Sequence, residues 1–200
     1  TGPPGSTGSI QIRGALGQYV KVIVDGMDLS DVAAPQAAAS FEHLLIGDID
    51  RIEVLKGPQS TLYGSEAVGG VISVTTHRAA RGLSSRSNVE FGSYNTKRFG
   101  STVSYGTERG DISFTAQGLE TDGFSAADEN AGNQESDGYD NLTFSGRAQY
   151  RISDTLRVFF AARSTKAESQ LDSFSFAVGG PADDFDESST FDLKAARGGI

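Results

Sequence analysis

LKGPQSTLYGSEAVGGVISVTT, residues 55–76, carries the strongest structural signals in the N-terminal part of this 200-residue chain. Pro58 has no N–H to donate, so it suits the first turn of a short helix, which we predict over residues 59–63. Gly64 supplies a C-terminal stop for that helix. Gly69-Gly70 then lets the backbone pack closely before a β-branched strand begins. The stretch therefore predicts a strand, a short helix and a second strand within a compact α+β domain.

Short strands and turns also fill the residues before this stretch. Residues 9–14 alternate, with Ile10 and Ile12 on one face, which predicts a strand. Residues 19–26 predict a buried strand that ends at the turn dipeptide Asp25-Gly26. Residues 28–40 are small and polar, which indicates a loop with a weak helical turn. We expect this first domain to span residues 1–80.

The pattern changes after Arg81, where long segments alternate between apolar and polar residues. Residues 142–152 are the clearest case, and residues 155–163 repeat the pattern after the short turn Ser153-Asp154. The neighbouring connections, residues 120–141 and 168–189, are long. Short turns that alternate with long loops are typical of an outer-membrane β-barrel. Residues 81–200 are thus predicted to form the first strands of an antiparallel transmembrane barrel.

The composition excludes several classes of protein. The net charge of −9 makes nucleic acid an unsuitable partner, because phosphate binding needs clustered Lys and Arg. No apolar run approaches the roughly 18 residues of a membrane-spanning helix, and the N-terminus shows no signal peptide. The chain has no Cys and two histidines, His43 and His77. Neither histidine lies in a catalytic motif, so we expect no enzyme, and His43 fits packing better than ligation.

Acidic residues are concentrated in the two long connections. Residues 120–140 and 168–192 each hold seven acids and no Lys or Arg, so together they carry 14 of the 26 acidic side chains. One interpretation is a solvated, mutually repelling surface. The other is Ca²⁺ binding, since hard cations take several carboxylate and carbonyl oxygens from flexible loops.

Four motifs resemble the plug domain of the TonB-dependent outer-membrane receptors. They are IRG at residues 12–14, VIVDG at 22–26, RIEVLKGPQSTLYG at 51–64 and AVGGVISVTT at 67–76. The residues that carry the resemblance are Arg13, Gly14, Asp25, Gly26, Arg51, Glu53, Gly57, Pro58, Tyr63, Gly64, Gly69 and Gly70. YGSEAVGG at residues 63–70 and SDGYDN at 136–141 are similar to the branch that transports vitamin B12. Siderophore receptors share the plug motif.

The resemblance implies a receptor of the bacterial outer membrane, in contact with its lipid, that takes up cobalamin or a ferric siderophore with energy from the TonB complex. It implies a barrel of roughly 22 strands around the plug, so we expect the chain to be a fragment that lacks the TonB box. Ligand contacts are expected from the outward loops of the plug, at Pro4, Ser6, Thr7, Asp31 and Gln36. No cofactor is required.

The same resemblance favours the calcium interpretation of the acidic connections. Cobalamin receptors order their outer loops with calcium, and the candidate ligands here are Glu135, Asp137, Asp184, Asp186 and Asp192. Two alternatives to energised uptake stay open at this point. One is a passive channel or adhesin on the same barrel, although an open pore has no use for a folded stopper. The other is a soluble secreted β binding module.

Overall fold

In its described residues, the computed structural model contains two main β-sheets that pack against each other and a separate two-stranded hairpin. It describes residues 3–6, 8–30, 39–125, 136–170, 173–175, 180–182 and 188–200. The small sheet comes from the N-terminal part of the chain, and the large sheet follows it. Among the residues described, no helix is long and apolar enough to cross a membrane.

The small sheet has four strands in the order β2-β1-β4-β3. Strands β1 and β4 are parallel, and the other neighbours are antiparallel. The strands are β1 Val20–Val24, β2 Met27–Asp28, β3 Ile49–Lys56 and β4 Gly70–Thr76. Two 3-10 helices, Gly17–Tyr19 and Phe41–His43, and the helix α1, Ser60–Tyr63, complete this unit. Its main core contains the buried side chains Val22, Val24, Leu29, Ala39 and Val74.

The order strand, short helix, strand predicted for residues 55–76 is confirmed as β3-α1-β4. The backbone N–H of Gly64 closes the helix by donating to Ser60 O, with Gly64 at φ 93°. Gly70 starts β4 at φ 155°, and a Cβ there would lie 2.5 Å from Leu55 O. Only glycine fits that approach, because any side chain would collide with the backbone of β3.

The prediction of a strand over residues 9–14 is wrong. Arg13 and Gly14 both have positive φ, 52° and 82°, and form a tight turn in which Ile12 and Ala15 exchange backbone hydrogen bonds. The turn reverses the chain, so the alternation of Ile10 and Ile12 does not extend into a strand. The helical turn predicted in residues 28–40 falls largely on 31–38, outside the described residues, whose flanks Ser30 and Ala39 form an isolated bridge.

The large sheet has six strands in the order β12-β9-β8-β7-β6-β5, all antiparallel. The strands are β5 Gly82–Phe91, β6 Lys97–Gly106, β7 Gly110–Thr121, β8 Tyr139–Arg151, β9 Arg157–Gln170 and β12 Ser188–Gly199. Between β9 and β12 lies a hairpin of β10 Ser173–Ser175 and β11 Gly180–Ala182. We call the end with the short connections 107–109 and 152–156 the turn end, and the opposite end the loop end.

The two faces of the large sheet differ in chemistry, as the alternation predicts. The face toward the small sheet is polar and includes the buried residues Ser113, Thr115, Gln117, Asn141, Thr143, Arg163 and Thr165. The outward face carries exposed apolar side chains, among them Val89, Phe99, Val103, Ile112, Phe114, Leu142, Phe144 and Phe160. Phe114 and Phe144 stack on it with their ring centroids 6.3 Å apart. The large sheet therefore has an apolar outside and a polar inside.

Candidate functional site: the interface between the two sheets

At the loop end, His43 anchors the small sheet to the large one. Its ring stacks on Phe191, with centroids 4.4 Å apart, and its Nδ1 lies 3.0 Å from Tyr139 Oη. Asn141 Nδ2 donates both to Tyr139 Oη, at 2.7 Å, and to His43 O, at 3.1 Å. Because Tyr139 Oη already accepts this bond, its own proton is available for His43 Nδ1. Burial lowers the pKa of His43, so the ring packs here as a neutral acceptor.

In the middle of the interface, Asp48 lies in a buried ion pair with the large sheet. Ser145 Oγ donates to Asp48 Oδ2 at 2.7 Å, and Arg163 Nη1 lies 3.7 Å from the same oxygen. The side chains of Asp48 and Arg163 are each 2% exposed. Close by, the backbone N–H of Gly47 donates to Gln117 Oε1 at 2.8 Å. Two opposite charges are thus taken out of water where the sheets meet.

At the turn end, the Asp25-Gly26 turn between β1 and β2 contacts two arginines. Asp25 accepts hydrogen bonds from Thr76 N, at 3.1 Å, and from Thr76 Oγ1, at 2.6 Å. Arg147 Nη1 lies 3.7 Å from Asp25 Oδ1 and donates to Thr76 O at 3.3 Å. Arg197 Nη1 donates to Gly26 O at 2.6 Å. The turn dipeptide that the sequence singled out is therefore held against the large sheet.

The other residues of the sequence motifs lie mainly within the small sheet and its turns. Gly57, Pro58, Tyr63, Gly64, Gly69 and Gly70 belong to the segment from β3 to β4, and Arg13 and Gly14 to the turn at 12–15. Arg51 Nη2 lies 3.3 Å from Glu53 Oε2 on β3, where both side chains are more than half exposed. In the described part of the chain these two charges pair with each other.

Two of the predicted ligand contacts, Pro4 and Ser6, are described. They lie in a turn in which Ser6 N and Oγ donate to Pro3 O, at 3.1 and 2.7 Å. Ser169 Oγ, one residue before the loop end of β9, donates to Gly5 O at 3.5 Å. This turn therefore lies at the loop end of the interface. Thr7, Asp31 and Gln36 fall outside the described residues.

Of the predicted calcium ligands, Asp137 and Asp192 are described. Asp137 is buried, 1% exposed, just before β8. Asp192 lies on β12 opposite Lys166, and Lys194 Nζ is 3.2 Å from its carboxylate. Glu135, Asp184 and Asp186 fall outside the described residues. Within the described ranges, no group of three or more His, Cys, Asp and Glu side chains could hold a metal ion. Calcium binding stays a prediction.

Sequence reasoning missed most of the residues that join the two sheets. No motif in the sequence identifies Asp48, Gln117 or Arg163 as a residue of this interface. Asp48 and Ser145 are 97 residues apart in the chain, so no local pattern connects them. Gln117 follows the polar side of the alternation in β7, so the pattern places it on the polar face but does not identify its partner.

Comparison with known proteins adds the decisive observation. The TonB-dependent Receptor Plug Domain family model matches residues 1–71, which include the small sheet up to the start of β4. The chain belongs to the TonB-dependent receptors. In this receptor the small sheet is the plug, and the large sheet corresponds to strands of the barrel wall, with its polar face toward the plug. Like the other members of its family, it is a protein of the bacterial outer membrane.

Several relatives of this receptor are known. The vitamin B12 transporter BtuB of Vibrio vulnificus strain CMCP6 is 34% identical over 133 residues, which are 66% of this chain and 22% of that protein. The siderophore receptor PirA of Pseudomonas aeruginosa is 25% identical, with a TM-score of 0.57 over 83% of this chain and 30% of its own. The copper transporter OprC is 22% identical and shares the fold, with a TM-score of 0.65 over 84% of this chain and 26% of its own. The chain thus spans about a quarter of the length of the curated relatives that it matches.

Proposed function

We propose that this receptor imports a scarce, large ligand across the outer membrane, with energy supplied by the TonB complex. Cobalamin is the first candidate and a ferric siderophore the second. The observation that carries the proposal is the polar interface that holds a folded plug against the inner face of the barrel wall. A passive pore would gain nothing from this plug, since the plug occupies the space through which solutes would pass.

The chemistry of the interface suits a plug that is held in place and yet movable. Hydrogen bonds and ion pairs such as Gly47–Gln117, Asp25–Arg147 and Gly26–Arg197 join the two units. Each such hydrogen bond contributes only about 0.5–1.5 kcal/mol net, because water replaces it when the contact opens. A dry apolar interface of the same size would resist opening more strongly, since its surface would have to be exposed to water. The plug can therefore rearrange in water-filled surroundings at moderate cost.

The choice of ligand rests on the relatives. Two proteins of Vibrio vulnificus that are named vitamin B12 transporters are 34% and 30% identical to this chain, over 66% and 80% of its length. PirA, at 25% identity, is named a siderophore receptor. The relatives thus support both ligand classes, with cobalamin first.

Uptake by cells tests the proposal. The receptor that carries this chain is expressed in bacteria without their own cobalamin and siderophore receptors, and accumulation of radiolabelled cyanocobalamin or of ⁵⁵Fe-siderophores is measured. We expect accumulation of one ligand class, which is lost when the host lacks TonB. Equal accumulation with and without TonB would support the passive-channel alternative and contradict energised uptake.

The ligand contacts predicted on the plug are tested separately by binding. Asp31→Trp and Gln36→Trp should weaken ligand affinity in the full receptor by about tenfold or more, because a bulky ring blocks a close polar contact. Ser6→Trp should do the same from the turn of residues 3–6. Leu62→Trp is the control, since Leu62 is 80% exposed on α1 and is not among the predicted ligand contacts. Unchanged affinity in all three loop variants would remove these loops from the binding site.

A further inference from the structure

An arginine-lined cavity of about 320 Å³ lies between the plug and the wall at the turn end. The plug contributes Asp25, Gly26 and Arg78, and the wall contributes Arg147, Arg157 and Arg197. We call this space the arginine cavity. Because both units line it, the cavity exists in this form only while the plug is seated.

Positive charge is in excess in the arginine cavity. Among the described residues, four arginines and one carboxylate, that of Asp25, line it. Asp25 is already engaged by Thr76 and by Arg147. In the part of the chain that the structure describes, the side chains of Arg78 and Arg157 have no hydrogen-bond or ion-pair partner. The lining therefore carries three positive charges that its own acid does not balance.

Contacts with neighbouring groups fix the position of two of the four arginines. Arg197 donates to Gly26 O at 2.6 Å, and its guanidinium carbon lies 5.5 Å from the centre of the Phe159 ring. Arg147 is positioned by Asp25 and Thr76 O. Like charges held close together cost free energy unless an anion lies between them. Fixed guanidinium groups also lose little entropy when such an anion binds.

We propose that the arginine cavity binds a phosphate-class oxyanion that bridges the plug and the wall. Guanidinium forks match the oxygens of phosphate and carboxylate in pairs, which makes arginine the preferred residue for such anions. The unbalanced charge of three favours a phosphate dianion over a carboxylate with its single charge. The volume accommodates a phosphate group together with some of its water. The proposal does not depend on the identity of the transported ligand.

Binding in the arginine cavity would stabilise the seated plug. An anion that contacts Arg78 on the plug and Arg157 on the wall binds only when the two face each other. By linkage, a ligand that binds one state favours that state in proportion to its concentration and affinity. Displacement of the plug would separate the arginines and release the anion.

Binding of inorganic phosphate to the purified receptor in detergent tests the proposal. We measure affinity by calorimetry for the wild type and for the double variant Arg78→Gln, Arg157→Gln. The double variant should bind phosphate about tenfold or more weakly, because it loses two charge-assisted contacts. Arg151→Gln is the matched control: Arg151 lies at the same turn end, is exposed, donates to Glu108 O and does not line the cavity. Its phosphate affinity should stay close to that of the wild type.

Thermal stability gives a second, independent measurement. In phosphate-free buffer the double variant should be at least as stable as the wild type, since it removes repulsion and breaks no contact. In phosphate the wild type should be more stable than the double variant. Chloride at equal ionic strength should leave the relative stability of the two proteins as it is in phosphate-free buffer. Acetate that binds as tightly as phosphate would make the cavity a carboxylate site and overturn the proposal. An equal loss of phosphate affinity in Arg151→Gln would also overturn it, as would a thermal stabilisation by phosphate no larger than that by chloride. A double variant that is less stable than the wild type without phosphate would overturn it as well, because it would show that carboxylates elsewhere in the receptor already pair with these arginines.

Discussion

At the residue scale, the pair of Asp48 and Arg163 is the most sensitive contact of the interface. Both side chains are 2% exposed, and among the described residues Asp48 Oδ1 and the terminal nitrogens of Arg163 have no hydrogen-bond partner. A buried pair with unmet polar atoms adds little net stability, because desolvation offsets much of the attraction. Loss of one partner is different, since the remaining charge is then buried alone.

Asp48→Asn should therefore loosen the plug from the wall by about 3 kcal/mol or more. The measurement is hydrogen–deuterium exchange of the backbone amides in residues 41–49, which should become faster in the variant. Asp50→Asn is the control, because Asp50 is half exposed and pairs with His77 at the surface, where a pair contributes only about 0–1 kcal/mol. The combination Asp48→Asn with Arg163→Met should recover part of the protection. Equal exchange in the two single variants would contradict the importance of the buried pair.

His43 makes the loop end of the interface sensitive to acid. Burial lowers its pKa below the ordinary value of 6.5, so the unfolded or undocked state binds a proton more readily than the docked state. The contribution of His43 to docking is therefore fully present above about pH 6.5 and is lost as the pH falls below that value. A proton on His43 Nδ1 would also point at Tyr139 Oη. That hydroxyl already accepts a hydrogen bond from Asn141, so it donates to the ring more readily than it accepts from it.

Lowering the pH from 7.5 to 5.5 should speed amide exchange in residues 41–49 beyond the intrinsic effect of pH, and His43→Gln should flatten this response. Burial raises the pKa of the neighbouring Glu42. The contribution of Glu42 to docking therefore has the opposite pH dependence and weakens as the pH rises above about 4.5. The difference between the wild type and His43→Gln isolates the histidine, because Glu42 is common to both. A response of the same size in the variant would assign the acid sensitivity to another group.

At the scale of elements, the sequence predicts the strands of the wall better than the contacts between the units. Strands β6 to β9 follow from alternation because one face meets lipid and the other a polar interior, so the period of two is strong. Strand β5, Gly82–Phe91, is harder to predict, since the serines after Leu83 hide the alternation. The short helix and the strand β4 follow from Pro58 and the glycines, whose conformations are determined locally. Asp48 and Arg163 meet only through the packing of two units, which no local pattern records.

We propose that the two acidic connections bind a cation. We expect Glu135, Asp137, Asp184, Asp186 and Asp192 to contribute oxygens to one or two Ca²⁺ ions, at ~2.3–2.6 Å. Of the two described residues, Asp137 is buried at the base of its loop, whereas Asp192 is paired with Lys194 on β12. Ordered loops would lower the entropy cost of ligand capture, so calcium should raise ligand affinity.

Chelation of calcium should weaken ligand binding by about fivefold or more, a typical coupling between two sites. Ligand should tighten calcium binding by the same factor. The double variant Asp137→Asn, Asp184→Asn should lose the calcium effect, and Asp192→Asn measures what the paired acid contributes. If a chelator leaves the affinity of the wild type unchanged, the acids form only a solvated surface.

Across the whole molecule, the two faces of the wall indicate which side meets lipid and which side meets the plug. The outward face presents Phe99, Phe114 and Phe144, and the inward face presents the polar contacts to the plug. The loop end carries the acidic connections and the turn of residues 3–6, whereas the turn end carries the arginine cavity. The acidic connections and the arginine cavity thus lie at opposite ends of the strands.

This arrangement predicts how the loss of stability caused by a lysine on the outward face varies with its depth in the membrane. Phe114→Lys places a charge near the middle of β7 on the outward face and should lower the free energy of unfolding by about 2–4 kcal/mol. Tyr105→Lys changes a similarly exposed aromatic residue, 51% against 55%, next to the turn end of β6. Near the membrane interface this costs about 0–1 kcal/mol. Both values follow from urea unfolding of the receptor refolded into lipid vesicles. Equal costs at the two positions would mean that the outward face of the sheet does not cross the hydrocarbon layer at β7.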